Sequence, residues 1–246
     1  MLKEITNNND MKKIIPFFYD IRFFMGKSVL DGTMGTAYVD NITNPNIAFL
    51  VVRSYCFFNG KIEKESLKEI IDEKFKEYNL IPSDNLSKLI EEIYKSNIIK
   101  SQRHSIKKDV IFDTEKLKKM SNSLEDEFEL IKINDDLAKR IKEEKFINIT
   151  DNYSKNGIGF CCMYNNKIVG VASSNIFYKD GIEVNIKTKE QYQRKGIATA
   201  MASKLILECL KQNKKVSWDA ANMESVGLAE KLGFKYDSTY NVYRIS

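Results

Sequence analysis

The 246-residue chain has a single histidine, and its four cysteines, Cys56, Cys161, Cys162 and Cys209, form no CxxC pair. Neighbouring strand residues such as Cys161 and Cys162 point to opposite faces, so no metal site is expected and a reducing, cytoplasmic compartment is. No apolar run is long enough to span a bilayer, and Met1 to Asp10 is polar, without an apolar stretch behind a basic start. A soluble protein with no membrane partner is expected. A GxxxxGK[ST] loop is also missing, which excludes a Walker-type phosphate site. Neither charge dominates: 39 basic and 34 acidic residues leave a net +5. That mild excess suits anionic ligands but falls short of the dense basic stripe of a nucleic-acid binder, so no nucleic-acid partner is expected. Nor is there a convincing internal sequence repeat.

What is present is core material. Apolar residues make up 43% of the chain and aromatics 11%, enough for a substantial core in one large domain or two small ones. In the first half, Met11–Met25 reads as an aromatic-rich helix, and Gly35–Val39 and Asn46–Phe58 read as strands before a turn at Asn59-Gly60. Helices near Glu63–Tyr78 and Ser83–Ser96 follow, separated by Pro82, and Lys100–Ser123 reads as a polar connector with some helix.

The second half has a cleaner rhythm. Phe128–Ile133 reads as a strand, and Asn134 or Asp135 caps a helix to about Lys145. Ile158–Tyr164 and Lys167–Phe177 read as a hairpin around Asn165-Asn166. Ile182–Thr188 alternates, with Ile182, Val184 and Ile186 on one face and Glu183, Asn185 and Lys187 on the other. A helix with the stripe Ala198, Met201, Leu205 and Cys209 comes next, then a strand over Lys215–Ala220. Asn222 caps a helix that stops at Gly233, and Lys235–Ile245 closes the chain as a strand.

Between the alternating strand and the striped helix lies Gln193-Arg194-Lys195-Gly196-Ile197-Ala198. A glycine lets main chain approach a ligand closely, and a helix start adds unpaired N–H groups and the positive end of a dipole. The turn is therefore built to hold an anion, most often a phosphate.

Three pieces in this order resemble the GNAT acetyltransferases from Phe128 to Ile245: the turn Gln193–Ala198, the strand Ile182–Thr188 before it, and Asn222 followed by Leu228-Ala229-Glu230-Lys231-Leu232-Gly233-Phe234. The turn fits that family's pyrophosphate pattern of Gln or Arg, two residues, Gly, one residue, then Gly or Ala. Over its whole length, including Gly35–Asp40, the chain is similar to the GNAT branch that includes the zwittermicin A resistance acetyltransferase. The resemblance implies an α+β fold with a mixed sheet: a GNAT domain over 122–246 behind an N-terminal α+β domain over 1–121 that shapes the acceptor site. It implies acetyl-CoA as co-substrate, held by Ile186, Lys187, Thr188, Gln193, Arg194, Lys195, Gly196, Ile197, Ala198, Thr199 and Asn222. The function it implies is acetyl transfer to a primary amine of a small molecule or an amine-bearing antibiotic.

An ammonium of pKa near ~10.4 lies about three units above neutrality, a cost of roughly 4–5 kcal/mol unless a base offsets it. Glu183 matches the family's acidic strand position and is the candidate base; an exposed strand carboxylate is the plain alternative. The family's usual tyrosine acid falls on Ala229 here. Tyr236, Tyr240 or Tyr243 are possible replacements, or the thiolate leaves unaided. That missing tyrosine keeps open a silent CoA-binding sensor. His104 reads as a surface residue, Cys161 and Cys162 as half-buried strand residues and Trp218 as core. The acceptor and the oligomeric state are not legible.

Overall fold

In the computed structural model, residues 2–19, 24–107, 110–149 and 153–246 are described. They fall into two compact units. Unit 1 comprises Met1–Arg103 with Thr239–Ser246, and unit 2 comprises His104–Ser238. This division differs from a boundary at 121/122. The helix Thr114–Ser121 buries Leu117 in the core of unit 2, and the end of the last strand belongs to unit 1.

Unit 1 runs β1 (Lys3–Ile5), α1 (Asn8–Ile14), α2 (Phe24–Leu30), β2 (Thr36–Val39), β3 (Ile47–Val52), β4 (Tyr55–Gly60), α3 (Lys64–Ile70), β5 (Asn79–Pro82), α4 (Asp84–Tyr94) and β6 (Ile98–Ile106), of which residues 98–103 lie in this unit. Strands β1 to β4 pair antiparallel in sequence, and β5 pairs parallel with β4. The expected single strand 46–58 is a hairpin, because Arg53 takes a left-handed φ of 54° and turns the chain. Asn59-Gly60 is not a turn but the end of β4, paired with Ala48 and Ile47. The expected helix 11–25 is two helices, α1 and α2; its residues 20–23 lie outside the described ones. Behind the sheet, α3 passes into a π-helical turn (Ile71–Phe75), and Leu67, Ile71 and Phe75 recur every four residues on its buried face. Phe75 stacks on Phe49 at 5.1 Å, and Phe49 on Phe58 at 5.3 Å.

Unit 2 takes the end of β6, then α5 (Thr114–Ser121), β7 (Glu129–Lys132), α6 (Asp135–Glu143), α7 (Tyr153–Asn156), β8 (Gly159–Tyr164), β9 (Lys167–Tyr178), β10 (Gly181–Thr188), α8 (Ile197–Lys211), β11 (Lys215–Ser217), β12 (Asp219–Ala220), α9 (Met223–Leu232) and the start of β13 (Tyr236–Ile245). Its five-stranded sheet has the order β11-β10-β9-β8-β7, antiparallel except for β10 with β11. Both faces are covered. Cys162 joins the core that includes Met201, Leu205 and Cys209 of α8, and Cys161 joins the one that includes Ala138 and Ile141 of α6. The two cysteines do face opposite ways, but both are fully buried rather than half-buried. On α8 the buried stripe starts at Ile197, since Ala198 is only half-buried. Asn165 and Asn166 turn the β8–β9 hairpin with φ of 47° and 58°. The Lys100–Ser123 stretch is not a connector: it contributes β6 and α5.

The two units repeat one path. β1-α1-α2-β2-β3-β4-α3-β5-α4-β6 matches β7-α6-α7-β8-β9-β10-α8-β11-α9-β13, with β12 as the one inserted strand among the described residues. In each, the fourth and fifth strands are the parallel pair. Topology thus contains a duplication that the sequence does not display.

Candidate active site

Strands β10 and β11 form a fork. They pair only at Gly181↔Lys215, Ile182↔Val216 and Glu183↔Ser217. Beyond Ser217 the chain passes Trp218 and, as β12, pairs with Ser105 and His104 instead. The β9 register of β10 also shifts between Glu183 and Val184, a bulge that re-aims the strand where the fork begins. Val184–Thr188 therefore presents backbone N–H and C=O groups along one edge, which an extended ligand can pair with.

Glu183 sits at the apex of the fork and is 6% exposed, so the exposed-carboxylate alternative does not hold. The bulge breaks strict alternation: Ile182, Glu183 and Val184 are buried in succession, while Asn185 and Ile186 are half-buried and Lys187 is exposed. The carboxylate Oε2 is hydrogen-bonded to the hydroxyl of Ser217, which also lies 3.0 Å from the carbonyl oxygen of Ile182. Tyr178 completes the buried group. Burial pushes its hydroxyl pKa well up, the Glu183 charge adds to this, and the Ser217 hydrogen bond opposes it. Nothing in the sequence marked Ser217 or Tyr178, because the register of a parallel pair cannot be read from spacing alone.

At the open end of the fork, Gln193 follows a 3₁₀ turn at Glu190–Tyr192, and Arg194 and Gly196 take left-handed φ values of 63° and 79°. Gly196 is the N-cap of α8. The first helical backbone bond runs from Ala200 N to Gly196 O, so the amides of Ile197, Ala198 and Thr199 are the donors every helix start leaves over. A Cβ on Gly196 would meet no protein atom nearer than Leu124 at 4.0 Å, so the space before the turn is open. An aromatic trio braces the turn: Tyr192 lies 5.4 Å from Tyr164 and 6.4 Å from Phe128, whose ring also sits 5.7 Å below Lys195 Nζ. Thr188 Oγ1 is sealed from water and has no hydrogen-bond partner among the described residues. Arg194 is paired with Glu224 at 2.9 Å on the surface. A fork edge, an open glycine turn and unspent helix amides fit an elongated anion-bearing ligand.

Asn222 caps α9, its Oδ1 accepting from Ser225 N at 2.9 Å. Ala229 is fully buried and brings no hydroxyl. Of the substitute tyrosines, Tyr236 lies in unit 2 and is 37% exposed, while Tyr243 is buried in unit 1 with its hydroxyl donating to Glu91 at 2.7 Å. His104 is not a surface residue: it is buried in β6, paired with Ala220 and 6.3 Å from the ring of Tyr236. Trp218 is core, its indole N–H donating to Ser225 Oγ at 3.0 Å.

The sequence profile of the family described as GNAT acetyltransferase matches residues 16–243. The chain belongs to the GNAT acetyltransferase family. A GCN5-related N-acetyltransferase-like protein from Streptococcus suis is 31% identical and superposes with a TM-score of 0.88, over 97% of this chain and 99% of that one. An uncharacterized N-acetyltransferase of Bacillus subtilis, YdfB, is 31% identical over 102 residues, 41% of this chain and 39% of that protein. A Drosophila protein of known structure shares the fold at 10% identity, with a TM-score of 0.61. This GNAT chain is thus an acyltransferase of mixed α/β fold, and its family uses acetyl-CoA as co-substrate. None of its helices is long and apolar enough to cross a membrane, among the described residues.

Proposed function

We propose that this GNAT protein transfers the acetyl group of acetyl-CoA by direct attack of a primary amine, carried by a small molecule or an amine-bearing antibiotic as in the zwittermicin A resistance branch. The observation that carries the reading is the fork: a nine-tenths-buried carboxylate at its apex and an open glycine turn at its mouth. Amides of Ile197, Ala198 and Thr199, with Gln193, Arg194, Lys195 and Gly196, hold the pyrophosphate; Ile186, Lys187 and Thr188 line the arm along β10, and Asn222 meets it from α9. Charge-assisted hydrogen bonds of this kind contribute roughly 1.5–3 kcal/mol each. Acetyl-CoA supplies the activated acyl group when bound.

Glu183 Oε takes the proton that an ammonium must shed before it is a nucleophile. Ser217 suits that work, because its hydroxyl can donate to the carboxylate or to Ile182 O. When Glu183 carries a proton on Oε2, it donates to Ser217 and Ser217 donates to the carbonyl, so the Oε2–Ser217 contact is kept in both protonation states.

Free-thiol release from acetyl-CoA with a panel of primary amines tests the reading. Saturable, amine-dependent release that Glu183→Gln lowers by about 10²-fold or more is expected. Clear saturable CoA binding with no turnover of any amine would replace it with a sensor.

A further inference from the structure

Gly181, at the closed end of the fork, has no side chain, and the hydroxyl of Tyr178 takes the place one would fill. A Cβ there would lie 2.5 Å from Tyr178 Oη and 2.6 Å from its Cζ, so the polar end of the ring lies across the glycine. Tyr178 and Gly181 are direct partners in the β9–β10 ladder, so their side-chain positions share one face of the sheet. Glu183 stands two residues further along that face, about 6.6 Å up the strand, and β11 makes the same step from Lys215 to Ser217. The bulge comes only after Glu183, so alternation holds over this stretch. Tyr178, Ser217 and Glu183 therefore bring their side-chain oxygens to one face.

All three residues are buried, and the Tyr178 oxygen is sealed from water. A phenylalanine ring would pack there without taking a hydroxyl out of water, which costs free energy unless the group is hydrogen-bonded. Ser217 hydrogen-bonds to this hydroxyl, and the Glu183 charge acts on it. Ser217 also contacts Glu183 Oε2 and lies 3.0 Å from Ile182 O. A serine hydroxyl has one proton to give and two lone pairs to receive with, so three partners match its capacity.

We propose that Tyr178 is a positioning residue for acetyl transfer, its hydroxyl anchoring Ser217 Oγ against Glu183 while Glu183 gains and loses the substrate's proton. With Glu183 charged, Tyr178 donates to Ser217 and Ser217 donates to Glu183 Oε2. With Oε2 protonated, Tyr178 and Glu183 fill both lone pairs and the serine proton turns to Ile182 O. The transferred proton leaves the ammonium nitrogen and binds a Glu183 oxygen; Tyr178 keeps its own throughout. Without that anchor, Ser217 is released to its other χ1 rotamers. The proposal rests on the reading of Glu183 as the base, and Tyr178 acts through Ser217 without touching substrate or cofactor.

Thiol release from acetyl-CoA by the full chain, with ethanolamine, glucosamine and kanamycin as acceptors, tests it. Tyr178→Phe keeps the ring and should lower kcat about fivefold or more, with KM for acetyl-CoA within about twofold of the parent. In a Ser217→Ala background the same substitution should cost less than about twofold, because the group it acts through is gone. 4-Aminophenylalanine in place of Tyr178 restores a donor on the same ring and should bring kcat to within about threefold of the parent. A Tyr178→Phe variant with parental kcat, losses that multiply in the double variant, or no rescue by the amino ring would each overturn the proposal. If Tyr178→Phe does not fold, the amino-ring variant decides alone: a loss of about tenfold would overturn the proposal. Glu183→Gln separates the two readings. No turnover of any of the amines, or a Glu183→Gln variant as fast as the parent, overturns the base reading and the proposal with it. A slow Glu183→Gln variant beside a normal Tyr178→Phe variant overturns the proposal alone.

Discussion

Ser217 on β11 holds Glu183 of β10 at the last rung before the two strands separate, and its one hydroxyl proton faces two acceptors, Glu183 Oε2 and Ile182 O. Ser217→Ala removes that contact, so turnover should fall by about tenfold with little change in acetyl-CoA affinity. Steady-state rates beside calorimetric titration of acetyl-CoA check it; unchanged turnover would mean that the hydroxyl only fills space.

Gly196→Val should cost stability and cofactor together. At φ 79° an L side chain is strained by about 1–2 kcal/mol, and its branches project into the open space before the α8 amides. Acetyl-CoA affinity is expected to fall by about 10²-fold or more, given three or four lost amide contacts. Urea unfolding alongside calorimetry separates the two effects. Normal affinity in the variant would sink the anion-turn reading.

Gly181→Ala attacks the closed end of the fork. A Cβ there would lie 2.5 Å from Lys215 O and 2.5 Å from the hydroxyl of Tyr178, so β10 and β11 must separate or Tyr178 must leave. A loss of about 1–3 kcal/mol in unfolding free energy is expected, with turnover falling more than cofactor binding because Glu183 is two residues away. Chemical denaturation and single-turnover acetylation measure both.

The cysteines make a stability prediction. All four are buried, and burial raises the thiol pKa of Cys161 to about 11 and those of Cys162 and Cys209 to about 12; Cys56 moves the same way. A folded-state pKa raised above the unfolded value gives stability that is intact below about pH 9 and lost as pH climbs through the folded values. Urea midpoints should therefore fall between about pH 9 and pH 12, and Ellman's reagent should label the native protein slowly but the unfolded chain at all four sites. Rapid labelling of the native fold would contradict the burial.

Local signals carried much of unit 2. Asn134, Asn222, Gly233 and the Asn165-Asn166 turn appear where caps and turns demand them, because such residues act through their own backbone neighbourhood. Unit 1 was less legible. The hairpin turn at Arg53-Ser54 uses a residue with no turn signature, and the polar stretch at Lys100 becomes a strand because its pairing partners come from far away in sequence. Burial of His104 has the same origin.

By itself the sequence determined the glycine turn, the strand before it and the capped helix after it, and with them the family, since each is written in contiguous residues whose backbone geometry follows from their own chemistry. Tertiary structure alone decided the rest. The register of β10 against β11 fixed that Ser217 meets Glu183 and that the pair stands buried at a fork. The pairing of Tyr243 with Leu80 put the end of β13 in unit 1. Both depend on pairings between distant segments, and no local pattern records which strand a residue will face.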